Sequence, residues 1–368
     1  MAEQVKNRQT VEEQRDALTG RLFQSFLGAG EAITVYIGDR LGFYKALEDG
    51  KAITPSGLAA QTNSHERYVR EWLEQQAAAG ILEVDNISAG PSGRRYRLPE
   101  GHADVLLNKD SLNYLAPLMR FIPATVGVMP SLLEAFQTGK GVPWEAYDAD
   151  GREAQADMNR PHYLQFLATH WLPAMPEVHA RLQANPPARV ADIACGAGWS
   201  SIAIARAYPN VQVDGFDLDA PSIEMARSNA GASGLGRRLN FHVRDASDPS
   251  LSGRYDLVTV FEALHDMSRP VEALRTMRGL VAPGGSVLVM DENVGEEFTA
   301  PSNELERFFY CASVLLCLPT GMAEQPSAGT GTVMRPATLR SYAQEAGFQG
   351  VEVLPIEHDF FRFYKLIV

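Results

Sequence analysis

Cysteine is scarce in this 368-residue chain: three residues, Cys195, Cys311 and Cys317. They provide neither a disulfide framework nor a metal-ligand spacing, and they fit a reducing cytoplasm. Positive charge is short as well, with 33 Lys and Arg against 45 Asp and Glu and a net charge of −12. The clustered cations that bind a phosphate backbone are therefore missing, and nucleic acid is not an expected partner. No apolar run is long enough to cross a bilayer, and the N-terminus Met-Ala-Glu-Gln-Val-Lys-Asn-Arg lacks the apolar core of a signal peptide. The expectation is a soluble, cytoplasmic protein with no membrane partner. Apolar side chains are not scarce: at 45% over this length they can bury a large core, and two domains are expected.

The densest information lies in Arg189-Val-Ala-Asp-Ile-Ala-Cys-Gly-Ala-Gly-Trp-Ser-Ser-Ile-Ala-Ile-Ala-Arg206, followed by Val211-Gln-Val-Asp-Gly-Phe-Asp217. It reads as strand, glycine turn, helix, strand and acid. Gly196 and Gly198 let the backbone turn sharply beside a ligand, while the helix opening near Trp199 aims unpaired N–H groups at it. Asp217 ends the second strand, where it can accept hydrogen bonds from a ribose diol. A dinucleotide fingerprint would place a third glycine where Ser201 stands. Asp192, just before the turn, suits a ligand with an ammonium group better than one with a pyrophosphate. S-adenosylmethionine is such a ligand. Cys195 within the turn reads as a small residue rather than a nucleophile.

Asp192 to Gly198, Asp217, Arg244-Asp245-Ala246, Phe261-Glu-Ala-Leu-His-Asp266 and Pro283-Gly-Gly285 resemble, in order, the motifs of class I S-adenosylmethionine-dependent methyltransferases. The likeness covers the last half of the chain, and Ala194 departs from it where many members have the first glycine. It implies a Rossmann-like α/β domain over residues 186–368, with a mostly parallel sheet and an antiparallel last strand supplied by His358 to Val368. By the same likeness Asp245 and Ala246 meet the adenine edge, Leu218 covers an adenine face, and Phe261 borders the cofactor. S-adenosylhomocysteine would be the product.

Residues 1–103 read as a helical unit. Leu18 to Ala46 has apolar residues at helical spacing, Thr54 to Thr62 is a capped short helix, and His65 to Gly80 is a longer one. Ile81 to Val84 and Arg95 to Leu98 form a hairpin. Helix, helix, hairpin is a winged helix. As a DNA reader its second helix would enter a groove, but Glu66, Glu71 and Glu74 offset Arg67 and Arg70. The unit also resembles the dimerising domain of small-molecule O-methyltransferases, which implies a homodimer. Residues 104–185 are expected to be a helical connector and substrate cap, broken at Pro117, Pro123, Pro130 and Gly139 to Pro143. His162, Phe166 and His170 fall on one helical face with Tyr163 and Trp171 nearby, a candidate substrate wall or simply core.

The candidate chemistry follows the apolar strand Tyr255 to Phe261. His265 lies in the loop leaving its carboxyl end, and an imidazole can take a phenol or enol proton as a methyl moves. In the O-methyltransferase family the corresponding Leu-His-Asp-Trp segment carries the catalytic histidine; here Leu264-His-Asp-Met267 keeps the His and Asp and replaces the Trp. Asp291 or Glu292 would orient the ring. Some keto-acid C-methyltransferases of similar architecture bind a metal through such a His-Asp pair and a further histidine, but Glu304 to Leu318 holds none, so no metal is expected. Phe308, Phe309 and Met322 would complete an apolar cavity, and Ser327 to Thr332 reads as a mobile loop. Two other uses remain open: an enzyme that keeps the cofactor without transferring methyl, as in a cyclisation or decarboxylation, and a ligand-responsive DNA-binding regulator.

Overall fold

The computed structural model describes residues 9–368; the first eight, to which the expectation about a leader applies, lie outside them. The chain forms two compact units, Met1–Ile122 and Pro123–Val368.

In the first unit the helix Val11–Arg40 runs unbroken through Gly28 and Gly30, opened by a Thr10–Glu13 capping box, and ends before Gly42 at φ +69. Helical glycines on an exposed face weaken a helix without breaking it. The helix Pro55–Gln61 is capped by the Thr54 hydroxyl, which accepts from Gly57 N at 3.2 Å. The helix Glu66–Ala78 buries Val69, Trp72 and Leu73. Strands β1 (Glu83–Asp85) and β2 (Arg95–Arg97) pair antiparallel, as the hairpin pattern predicts. Between the helices Gln76, fully buried, donates to Thr34 Oγ1 at 3.1 Å and accepts from the Tyr44 hydroxyl.

The second unit is built on a seven-stranded sheet of β3 (Arg189–Ile193), β4 (Gln212–Asp217), β5 (Leu239–Val243), β6 (Tyr255–Phe261), β7 (Val281–Glu292), β8 (Gly350–Val353) and β9 (Phe361–Ile367). The order is β5-β4-β3-β6-β7-β9-β8; β3 to β7 are parallel, and β9 is antiparallel to both neighbours. The order reverses between β3 and β6, the switch point where open α/β sheets bind ligands. Central strands such as β6 are buried along nearly their whole length and read as unbroken apolar runs. Pro283 to Gly285 lies inside β7, where the pairing with β6 shifts between Tyr255 and Leu257.

Two expectations about the helices change. Pro123 does not break the chain; it sits in the first turn of the helix Phe121–Gly127, where its missing N–H has no partner to lose. Tyr163–Trp171 is π-helical rather than α-helical, and His162, Phe166 and His170 still follow one another in ring contact, with centroids 6.1 and 5.5 Å apart. Trp171 is 1% exposed and packs on Phe363, with ring centroids 4.8 Å apart: it belongs to the core. His170 points to the surface, its Nδ1 2.8 Å from Thr169 Oγ1. Among the described residues no single helix is long and apolar enough to cross a membrane.

Candidate active site

At the carboxyl end of β3 the chain makes the expected turn. Ala194, Gly196 and Gly198 all have positive φ, at +53, +50 and +78. Ala194 therefore carries a strain of ~1–2 kcal/mol that the glycine common at this position avoids. At Gly198 the turn also needs space, because a Cβ would lie 2.9 Å from the Phe241 ring. The helix Trp199–Ala207 starts directly after it.

Asp217, at the end of β4, holds this turn. Its Oδ2 accepts from Gly196 N at 2.8 Å and its Oδ1 from Asp219 N at 2.9 Å. Burial pushes its carboxyl up to about 6, against those two hydrogen bonds and with help from Asp219 and Asp192. Leu218 beside it is 61% exposed. A carboxylate anchored at both oxygens with lone pairs remaining, next to an uncovered apolar side chain and a glycine turn, fits the ribose and adenine of an adenosine ligand.

Asp192 is turned inward. Ser200 and Ser201 hydroxyls both donate to its Oδ2 at 2.6 Å and Thr259 Oγ1 donates to Oδ1 at 2.9 Å. Its carboxylate thereby ties the strand, the turn and the new helix together. Asp245 is half-exposed; it accepts from Ser247 and from Arg269 Nη2, at 2.8 Å each. Ala246 packs against the core on that side of the sheet. Burial drives the Cys195 thiol well above its usual range, so it remains a thiol.

One strand beyond the turn, His265 sits in a 3₁₀ turn, Leu264–Asp266, and is 1% exposed. Its Nδ1 lies 2.9 Å from Asp291 Oδ1 and 3.0 Å from Glu292 Oε2, both at the end of β7; its Nε2 lies 3.2 Å from Asp266 Oδ1. Burial alone would lower the imidazole pKa, but Glu292, Asp266 and Asp291 outweigh it and hold it well above 6.5. Burial in turn pushes Glu292 up, while Asp291 is held low by its ion pair with the ring despite burial. Asp266 does not cap the next helix, whose N-cap is Arg269.

Asp291 Oδ2, Thr320 Oγ1 and Thr332 Oγ1 are buried side-chain atoms without a hydrogen-bond partner. Such atoms cost ~1–3 kcal/mol each, which a polar guest relieves. Cys317 joins this group: its donor atom lies within 4.8 Å of those of His265 and Asp266, and burial pushes its thiol up to about 12.

Ser327 to Thr332 is not loose. Gly331 N donates to His265 O at 3.2 Å, Ala328 N to Ser268 O at 2.8 Å, and Ser327 Oγ to Gly321 O at 2.6 Å. These bonds fasten the segment over the His265 turn. Of the apolar set, Tyr163 is buried 5.7 Å from the Phe261 ring, and Phe309 is buried against Phe360 at 5.9 Å. Phe308 is half-buried 5.9 Å from Phe309, and Met322 Sδ lies near Gly329. His162 and Phe166 are half-buried near His358, with His162 Nδ1 3.3 Å from His358 Nε2. Burial and His358 lower His162 to about 4, so it is neutral.

The helix Asp148–His162 binds the whole edge together, which the sequence did not disclose. Arg152 pairs with Asp219 at 2.7 Å, Asn159 donates to Glu262, and Arg160 lies 4.5 Å from the Trp199 ring centroid. Helical spacing placed these residues on a helix; nothing in it named their partners, 39 to 103 positions away.

Fold and site define an α/β protein with a glycine turn that fits an adenosine ligand and a buried acid-histidine cluster close to the switch point. Residues 190–285 match the family described as a methyltransferase domain, and residues 29–108 that of an Rv2258c-like winged HTH domain. The ubiquinone biosynthesis O-methyltransferase of Bordetella avium (strain 197N) is 27% identical over 209 residues, covering 55% of this chain and 79% of that protein. The structure of the mitomycin 7-O-methyltransferase MmcR matches with a TM-score of 0.69 at 20% identity, over 96% of this chain and 98% of that one. Human N-acetylserotonin methyltransferase in complex with S-adenosylmethionine matches with a TM-score of 0.64 at 18% identity, over 98% and 99% of the two chains. The chain thus carries a methyltransferase domain preceded by a winged-helix domain, on a fold it shares with S-adenosylmethionine-dependent methyltransferases.

Proposed function

We propose that the protein methylates oxygen on a small aromatic or apolar molecule, with His265 as the group that accepts the acceptor's proton. The observation that carries this is the His265 cage: Nδ1 hydrogen-bonded to Asp291 Oδ1 with Glu292 Oε2 at 3.0 Å, and Nε2 3.2 Å from Asp266 Oδ1. When bound, S-adenosylmethionine supplies an electrophilic methyl group on a sulfonium. Asp217, Gly196, Gly198, Leu218 and Asp245 would hold its adenosine part, and Ala194 and Asp192 would shape the turn; Ala246 and Phe261 would border it. The remaining task is to align an oxygen nucleophile and remove its proton. An acceptor hydroxyl beside Nε2 would hand its proton to the neutral ring, while Asp291 and Glu292 stabilise the imidazolium formed. Tyr163, Phe166, Phe308, Phe309 and Met322 supply the apolar wall, with His162 at its edge. The mitomycin and N-acetylserotonin enzymes are small-molecule methyltransferases by name, which supports this substrate class.

The test is transfer of labelled methyl from S-adenosylmethionine to a panel of phenols, enols, amines and carbon acids. Label is expected on the phenol or enol oxygen. Label confined to amines would move the acceptor to nitrogen, and cofactor binding without transfer to any member would favour the non-methylating use.

We also propose a homodimer formed through the N-terminal unit. On the helix Val11–Arg40, Leu18, Leu22 and Phe26 recur every fourth residue with Phe23 and Leu27 beside them, and Phe26 is 79% exposed. An apolar stripe of that length marks a protein contact. Cations of the winged helix are matched by acids, Arg94 to Glu74 at 2.8 Å and Arg67 to Glu71, which supports an assembly role over DNA binding. Sedimentation equilibrium is expected to show a dimer that Phe26→Glu converts to a monomer. A monomeric wild type would sink the proposal.

A further inference from the structure

Glu262 leaves the end of β6 in the left-handed region, φ +51. A side chain held there costs ~1–2 kcal/mol that glycine would not, a strain found where function needs it. The neighbouring strand leaves the sheet in the same way through Ala194, with Val260 paired to Ile193 just before both turns. The Glu262 carboxylate is thus delivered beside the glycine turn. It is held there by neutral amides: Asn159 Nδ2 donates to Oε2, and Gln155 Nε2 lies 3.4 Å from the same oxygen. Among the described residues no Lys or Arg forms an ion pair with it. The cation acting on it is His265, already shared by Asp266, Asp291 and Glu292. Burial consequently pushes the Glu262 carboxyl up to about 7, with His265 and Asn159 opposing. It remains partly exposed at the edge of the sheet.

Strand order converts this into a location. Along β5, β4, β3, β6 and β7 the carboxyl edge carries in turn Asp245, Asp217, the glycine turn, Glu262 and the Asp291–Glu292 pair. Asp217 and Glu262 are two strand spacings apart, about 9.6 Å. A cofactor with its adenine toward β5 and its ribose at Asp217 extends its methionyl arm toward the ends of β3 and β6.

We propose that Glu262 is the counter-ion of the cofactor's α-ammonium group, with Asn159 and Gln155 fixing the carboxylate that receives it. A charge-assisted bond of this kind holds the far end of the ligand, as Asp217 holds the ribose. The inference rests on the reading of Asp217 and the glycine turn as the adenosine seat, and its test separates the two. Wild type and Glu262→Gln are titrated calorimetrically with S-adenosylmethionine, S-adenosylhomocysteine and 5′-methylthioadenosine, which keeps the adenosine and sulfur but has no amino-acid arm. Gln has the same shape and still accepts from Asn159. Both amino-acid-bearing ligands are expected to weaken by roughly 10- to 100-fold, with 5′-methylthioadenosine unchanged. Glu262→Asp should recover part of the loss. Equal loss for all three ligands, or for none, overturns the proposal. Loss confined to S-adenosylmethionine overturns it as well, because that result assigns Glu262 to the sulfonium. If the wild type binds none of them, the adenosine seat itself fails and takes the proposal with it.

Discussion

Replacing Asp217 by Ala is expected to weaken S-adenosylmethionine binding by at least about 100-fold, since two hydrogen bonds to a charged acceptor are worth ~3 kcal/mol or more. The effect has two sources. The ribose diol loses its acceptor, and Gly196 N loses the 2.8 Å bond that fixes the turn. Asp217→Asn keeps one acceptor oxygen and should fall between. The pH dependence has a definite sign. The ionised carboxylate is the form that accepts two hydroxyl donors, and burial raises its pKa to about 6, with Asp219 and Asp192 the acids acting on it. Affinity should therefore lose a limb as pH falls through about 6, approaching tenfold per unit below it, and Asp217→Asn should lack that limb. Calorimetry with S-adenosylhomocysteine, which shares the ribose, should give the same pattern. Unchanged affinity in the alanine variant would remove Asp217 from the cofactor site.

The second large effect concerns His265. His265→Gln is expected to reduce kcat by about 10²- to 10⁴-fold, the usual range for losing a positioned base, while cofactor affinity stays near wild type. Because Glu292, Asp266 and Asp291 hold the imidazole pKa well above 6.5 against burial, the free enzyme at neutral pH carries the imidazolium. The base is the neutral ring, so wild-type turnover should rise with pH through and beyond neutrality. The glutamine variant should lose that rise. A variant with full turnover would exclude proton acceptance by this residue.

Stability provides an independent reading of the same cage. A histidine whose folded pKa is raised contributes stability that is fully present below its unfolded value of ~6.5 and is lost as pH rises through the folded value. At pH 7 the contribution is still largely present, and removing the ring leaves Asp291, 1% exposed, without its cation. Breaking one side of a buried pair costs about 3–5 kcal/mol. Denaturant unfolding of His265→Gln should show a loss of that size at pH 7, shrinking in acid as the abandoned carboxylates take up protons.

Local order was legible wherever one physical pattern governs a short segment. Unbroken apolar runs gave the central strands, Thr54 and Gly80 marked helix ends, and the glycine turn with Asp217 stood out because close backbone approach demands those residue types at that spacing. His265 was visible because it follows an apolar strand directly. The aromatic stripe was legible in part: His162, Phe166 and His170 do follow one another in ring contact, but the π-helical winding and the division that buries Trp171 and exposes His170 were not written in the spacing. The Ser327 to Thr332 segment, rich in Gly and Thr, reads as mobile, yet backbone bonds to His265 and Ser268 tie it down.

By itself, then, the sequence determined the parallel sheet, the glycine turn after β3, the winged helix and the histidine after β6, because each depends on neighbours within one strand or helix. Only the tertiary structure decided the charge state of that histidine, which depends on carboxylates 26 and 27 positions away at the end of β7. It alone turned Asp192 inward onto Ser200, Ser201 and Thr259, and brought Asn159 and Gln155 to Glu262. The physical reason is that protonation and hydrogen-bond pairing are set by burial and by charges within a few ångströms, and the sheet assembles those from strands and helices far apart in the chain.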